Sequence, residues 1–246
     1  MQRDNKKVAL ITGASRGLGA AVAVRLAAEG FTTIIHYSGD AAPAEAVARG
    51  IEDHGGRAVT AQADVADAAA VRAMFASVEA AFGGIDLLVN SGGVMHLAPL
   101  AETDDESFDR QVAVNFKGSF NTLREAGARL RDGGRIVSIS SGVGGLLQSG
   151  HGVHAATKAA IEALTSVLAK ELRGRNITVN AIAPGPTATE AFLHGRSPAA
   201  VERLRRLSPL ERLGQPEDIA AAVAFLAGPD GGWINGQTLR ADGGMS

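Results

Sequence analysis

Short apolar, β-branched runs alternate with alanine-rich helical stretches along the chain, and no other feature constrains its fold as strongly. Residues 7–12 (KVALIT), 32–36 (TTIIH), 57–62, 85–90 (IDLLVN), 135–140 (RIVSIS), 177–183 and 238–240 read as strands. Helices are expected at 18–29, 43–54, 105–131, 152–173 and 216–227. A further helix is expected after Asp67, an N-cap, because Val71, Met74, Phe75, Val78 and Phe82 follow at helical spacing. In the 152–173 stretch, Ile161, Leu164, Leu168 and Leu172 fall on one face. Strands such as VALIT and DLLVN are apolar at nearly every position, so helices must cover both faces of the sheet. The expected fold class is α/β, a doubly wound, seven-stranded, mainly parallel sheet with helices on both faces.

Composition narrows the choice of function. The chain has 246 residues, 46% of them hydrophobic, enough for one sizeable core. No linker or short-period repeat divides it, so 1–246 reads as one domain. Residues 184–214 break the rhythm, with Pro184, Pro186, Pro198 and Pro209 around a short basic helix. A flap over the site is expected there, at about 185–214. Lys and Arg number 24 against 26 Asp and Glu, which argues against a nucleic-acid partner. Cysteine is absent, so no disulfide, thiolate metal site or Cys nucleophile exists. No apolar run approaches the roughly 18 residues of a membrane span. The opening MQRDNKKVALITG runs straight into a strand, and the expectation is a soluble, cytoplasmic protein without a signal peptide.

The first strand delivers TGASRGLG, with Gly13, Gly17 and Gly19, directly into a helix. Glycines let backbone approach a pyrophosphate, and the helix N-terminus adds free N–H groups and a positive dipole end. Ser15, Arg16 and Leu18 complete the turn, and a dinucleotide is the expected ligand of this Rossmann-type fold. An NAD-preferring site places an acid at the end of the second strand, whereas here that stretch is His36-Tyr37-Ser38, and Asp40 comes later. Arg16, assisted by His36, Tyr37 or Ser38, suits a 2′-phosphate, so NADP(H) is expected over NAD(H).

At this point the chain resembles the short-chain dehydrogenase/reductases over essentially its whole length, in particular the bacterial 3-oxoacyl-carrier-protein-reductase-like group. TGASRGLG is similar to that family's cofactor loop, and Asp64-Val65 to its adenine-contacting pair. Asn90-Ser91-Gly92-Gly93 stands where the family has N-N-A-G. Asn115 matches its structural and proton-relay Asn, and Ser141 its catalytic Ser. Pro184-Gly185 with Thr187 and Thr189 matches the segment holding the nicotinamide carboxamide. The resemblance implies a homotetramer, a ribose contact from Lys158, and NADP-dependent interconversion of a carbonyl and a secondary alcohol.

The family's Y-x-x-x-K reads His154-x-x-x-Lys158 here, and the only tyrosine, Tyr37, lies in the cofactor region. His154 and Lys158 share a helix face, so the ammonium should hold His154 below its ordinary pKa of about 6.5. Neutral imidazole is a poor acid and a competent base, which predicts slow reduction near neutrality and less impaired alcohol oxidation. The side chain is shorter than tyrosine, so a bridging water is expected. An NADP(H)-binding protein with weak or no redox activity is the alternative, and a non-redox enzyme in the same pocket a third. Asn115 could equally bond backbone locally. His151 and His154 lack a third ligand, so no metal is expected. His96 and His194 are either pocket or solvated loop residues. Phe192, Leu193, Leu204 and Leu207 in the flap imply a partly apolar small-molecule substrate; Arg203, Arg205 and Arg206 suit an acidic carrier or simply a solvated face.

Overall fold

Strand β1 (Val8–Thr12) is buried at all five positions, as its unbroken apolar sequence requires. Val8 and Leu10 face one helical layer, and Ala9 and Ile11 the other. The computed structural model describes residues 6–142 and 149–246. Seven strands form one sheet in the order β3-β2-β1-β4-β5-β6-β7, and every neighbouring pair is parallel. The others are β2 (Thr32–Tyr37), β3 (Arg57–Gln62), β4 (Leu87–Asn90), β5 (Arg135–Ile139), β6 (Thr178–Pro184) and β7 (Thr238–Ala241). Strand order reverses between β1 and β4, which opens a crevice at their carboxyl ends.

Helices α1 (Gly17–Ala28) and α2 (Ala42–Asp53) cover one face, together with α9 (Pro216–Ala227). The opposite face carries α3 (Ala68–Phe82), α5 (Gly118–Arg129) and α6 (Gly152–Glu171). Asp67 caps α3 as expected, accepting from the N–H of Ala69 at 2.8 Å. Val71, Met74, Phe75 and Val78 form its buried stripe.

The helix expected at 105–131 is not uniform. It consists of α4 (Asp105–Gln111), a π-helical turn at Val112–Lys117, and α5. Apolar spacing continues through the π turn, so sequence periodicity does not reveal it, although such turns often mark functional sites. Asn115 lies in that turn.

Residues 184–214 hold two short helices, α7 (Glu190–Leu193) and α8 (Pro198–Leu207). Their ends are tied together where Thr187 pairs with Gly214. Helix α8 is the expected basic helix; α7, only one turn long, gave no periodicity to read. No described helix is long and apolar enough to cross a membrane.

Phe75 is fully buried between α3 and the sheet. Phe75→Ala is expected to cost about 3–5 kcal/mol, read as a lowered midpoint in urea unfolding.

Candidate active site

Backbone sterics set the crevice. Gly13 has φ +63°, and a Cβ there would sit 2.7 Å from the Gly92 Cα. The turn after β1 and the turn after β4 therefore touch backbone to backbone, which only glycine permits. A Cβ on Gly19 would collide with the Gly13 carbonyl, so α1 can start this close to the turn only with glycine there. Thr12 locks the same junction. Its hydroxyl accepts from the N–H groups of Ser91 (3.0 Å) and Gly92 (3.1 Å).

His36 acts differently from the sequence expectation. It is buried, and its Nδ1 accepts from the Gly13 N–H at 3.1 Å. That fixes Nε2 as the protonated nitrogen, 3.0 Å from the Ala63 carbonyl. Both ring nitrogens are therefore committed to holding the glycine turn and the end of β3, and His36 has none left for a phosphate. Burial lowers its pKa; the Ala63 carbonyl and the Asp64 carboxylate act in the opposite direction. Arg16 and Ser38 are exposed at the crevice and Tyr37 half-buried. Ser15, Gly17 and Leu18 are partly exposed beside them. Asp64 is exposed, while Val65 is buried against Gly118.

Gly93 continues the β4 turn toward a second cluster. A Cβ at Gly93 would lie 3.3 Å from Asn115 Oδ1 and 3.6 Å from Lys158 Nζ. Asn115 is buried and pairs its amide with Val94 in both directions, each bond 2.8 Å. A third bond, at 3.3 Å, runs from Nδ2 to the Thr157 hydroxyl. Its side chain thus bonds across to the β4 exit rather than locally along the helix.

Helix α6 buries His154, Thr157, Lys158, Ile161 and Thr165 along one stripe. Lys158 Nζ donates to the Ile139 carbonyl at 2.8 Å and has no carboxylate partner among the described residues. Burial pushes its pKa down to about 8. His154 is 9% exposed and is pushed down to about 4. Burial is the largest cause, ahead of the Lys158 ammonium and then His151; a backbone hydrogen bond to Val94 opposes them. The expected direction holds, but desolvation outranks the lysine charge named from sequence. His154 Nδ1 is buried without a hydrogen-bond partner.

Ser141 and Gly142 follow β5, where the Gly142 N–H donates to the Pro184 carbonyl at 2.7 Å. A cavity of about 140 Å3 opens there, walled by Ser141, Met95, Phe192, Leu204 and Met245. Pro184 and Gly185 also line it, whereas Thr187 is buried under the flap. Thr189 approaches the glycine turn, its Cγ2 lying 3.6 Å from a Cβ placed on Gly17. His154 and Lys158 are buried and do not line this cavity. His96 and His194 are exposed and line neither cavity. A larger cavity, about 420 Å3, lies between the flap and the C-terminal tail and contains none of Ser141, His154 or Lys158.

Sequence reading missed Thr12 and the structural use of His36. Thr12 opens the TGASRGLG motif and His36 belongs to none, and the partners of both are groups far away in the chain that no local pattern names.

A glycine-turned crevice at the switch point of a parallel sheet, continuous with a buried lysine and histidine, defines a dinucleotide-binding α/β protein. The chain belongs to the short-chain dehydrogenase/reductase family. The family model described as enoyl-(acyl carrier protein) reductase matches residues 13–246. A short-chain type dehydrogenase/reductase of Picea abies is 44% identical, over 97% of this chain and 92% of its own. An NADPH-dependent aldehyde reductase-like protein of Arabidopsis thaliana is 42% identical, over 97% and 93%. A Burkholderia cenocepacia short chain dehydrogenase, solved in complex with NADP, is 40% identical and superposes with a TM-score of 0.92, covering 99% of both chains.

His36→Leu leaves the Gly13 N–H and the Ala63 carbonyl unpaired, at about 1–3 kcal/mol per group. His36→Asn keeps an acceptor for Gly13, so its urea midpoint should fall between those of the wild type and His36→Leu.

Proposed function

We propose that this chain is an NADP(H)-dependent oxidoreductase that interconverts a carbonyl and a secondary alcohol. In this reading the whole chain is one domain, with His154 in the proton-transferring position. The observation that carries it is the continuity of the β4 exit: Gly92 packs on the Gly13 turn, and a side chain on Gly93 would meet Asn115 and Lys158. A ligand along that edge reaches both clusters at once. The glycine turn, packed so closely against the β4 exit that its backbone N–H groups stay bare of side chains, and the unpaired His154 Nδ1 fit a dinucleotide with its reactive ring toward α6. The NADP complex of the Burkholderia relative and the name of the Arabidopsis one support the choice of cofactor.

In this reading Gly13, Ser15, Arg16, Gly17, Leu18 and Gly19 cradle the pyrophosphate on the N-terminus of α1. Exposed Arg16 and Ser38, with Tyr37, meet the 2′-phosphate. Asp64 and Val65 border the adenine, Asn90, Ser91 and Gly92 the middle of the ligand, and Lys158 the ribose. Pro184, Gly185, Thr187 and Thr189 hold the carboxamide. A bound nicotinamide nucleotide would supply the hydride for the carbonyl carbon, or in reverse accept one from the alcohol carbon. The Ser141 hydroxyl donates to the substrate oxygen and holds it as charge develops. Protonated His154 delivers the proton that completes the hydroxyl, through a water, and the neutral ring accepts it in the reverse direction. Asn115 supports the relay. Exposed Phe108, Phe116 and Phe120 on α4–α5 supply apolar surface for the expected homotetramer.

With His154 at about 4, its acid form at pH 7 is about one part in a thousand. NADPH-dependent reduction of an aliphatic ketone should therefore rise about tenfold per pH unit from 7 to 5. His154→Tyr should flatten that slope and raise the rate at pH 7. A flat wild-type profile overturns the role of His154, and tight NADPH binding without turnover at any pH favours a binding protein. Arg16→Ala should weaken NADPH binding more than NADH binding, read by nucleotide fluorescence.

A further inference from the structure

The cavity beside Ser141 holds a cation that the reaction above does not use. Arg196 lines it from the flap, just after α7. The guanidinium carbon lies 4.4 Å from the centre of the Phe192 ring, and Nε donates to the Phe192 carbonyl at 2.7 Å. Those two contacts, from one residue, hold the guanidinium plane in place and leave its two terminal nitrogens for another partner. Among the other flap arginines, Arg205 and Arg206 share Glu202 and Arg212 pairs with Asp218, and neither these nor Arg203 line this cavity. Arg196 has no such ion pair among the described residues.

The rest of the wall is mostly apolar, through Met95, Phe192, Leu204 and Met245. His151 and one acid, Asp242, also line it, and the Asp242 oxygens accept from the N–H groups of Gly244 and Met245 and from the Ser246 hydroxyl. At about 140 Å3 the space is smaller than a drug-sized pocket, so any anionic group bound there sits within a few carbons of the reacting carbonyl. A planar fork of donors matches a carboxylate better than it matches a neutral oxygen.

We infer that Arg196 is a specificity-determining residue, and that the preferred substrates are short, otherwise apolar carbonyl compounds bearing a carboxylate. The inference rests on the reductase reading above and names its substrate class. Arg196 grips the carboxylate while Ser141, on the same cavity wall, receives the carbonyl oxygen.

The test compares NADPH-dependent reduction of 4-oxopentanoate with that of its methyl ester, in wild type, Arg196→Gln and Arg196→Lys. Wild type should prefer the acid by about 10–100-fold in kcat/KM, the span expected for a charge-assisted hydrogen-bonded pair. Arg196→Gln should abolish that preference through the KM for the acid and leave the ester within about twofold, while Arg196→Lys keeps part of it. Equal use of acid and ester by wild type, or equal losses on both in Arg196→Gln, overturns the inference and leaves the reductase reading intact. Failure to reduce either probe or a neutral ketone defeats the reductase reading instead. Calorimetric titration of pentanoate, with and without NADP+, then decides the anion site separately. Pentanoate binding that is lost in Arg196→Gln supports it, and binding absent from wild type or equal in both proteins overturns it.

Discussion

The whole arrangement depends on two turns touching through bare backbone. Where β1 and β4 end side by side, the Gly13 turn lies so close to Gly92 that no side chain fits between them. That contact needs a positive φ at Gly13 and is held by Thr12 on one side and His36 on the other. The same β4 exit then reaches Asn115 and Lys158 through Gly93, so the glycine turn and the buried α6 cluster share one short piece of chain. Moving this turn by an ångström would disturb both.

Around α6 the energetics run against stability. Lys158 is buried with one carbonyl partner and no counter-ion among the described residues, and His154 is buried with an orphaned ring nitrogen. Buried groups of this kind cost free energy unless something else satisfies them. Strong shifts of pKa in a cleft of this sort are a mark of functional sites. The π turn at Asn115 belongs to the same pattern: helical regularity is given up so that one carboxamide can pair with Val94 as a strand would.

Much of this was legible in the residues. The inner strands β1, β2, β4, β5 and β6 were readable because parallel strands covered on both faces are largely apolar, whereas the edge strands β3 and β7 are mostly exposed and mixed in polarity, and TGASRGLG located the crevice because glycines between a strand and a helix are rare outside such turns. His154-x-x-x-Lys158 announced a shared helix face, since residues four apart must stack. Other features were not readable. His36 looked available to a phosphate because a sequence does not show that Gly13 and Ala63, 23 and 27 residues away, come within hydrogen-bond reach of its ring. The cause of the His154 shift was mis-ranked for the same reason: charge neighbours can be counted along a helix, but burial cannot. The one-turn helix α7, too short for any period, was missed with the placement of Arg196 that it governs.

The order of strands and helices, the covered sheet, the glycine turn and the unusual histidine were determined by the sequence alone, because each is encoded by local periodicity or spacing. Only the tertiary structure decided which backbone groups His36 and Thr12 bind, how deeply His154 and Lys158 lie, and which arginine faces the Ser141 cavity. Those properties depend on contacts between segments brought together by the sheet, and on the loss of water there, which no local pattern records.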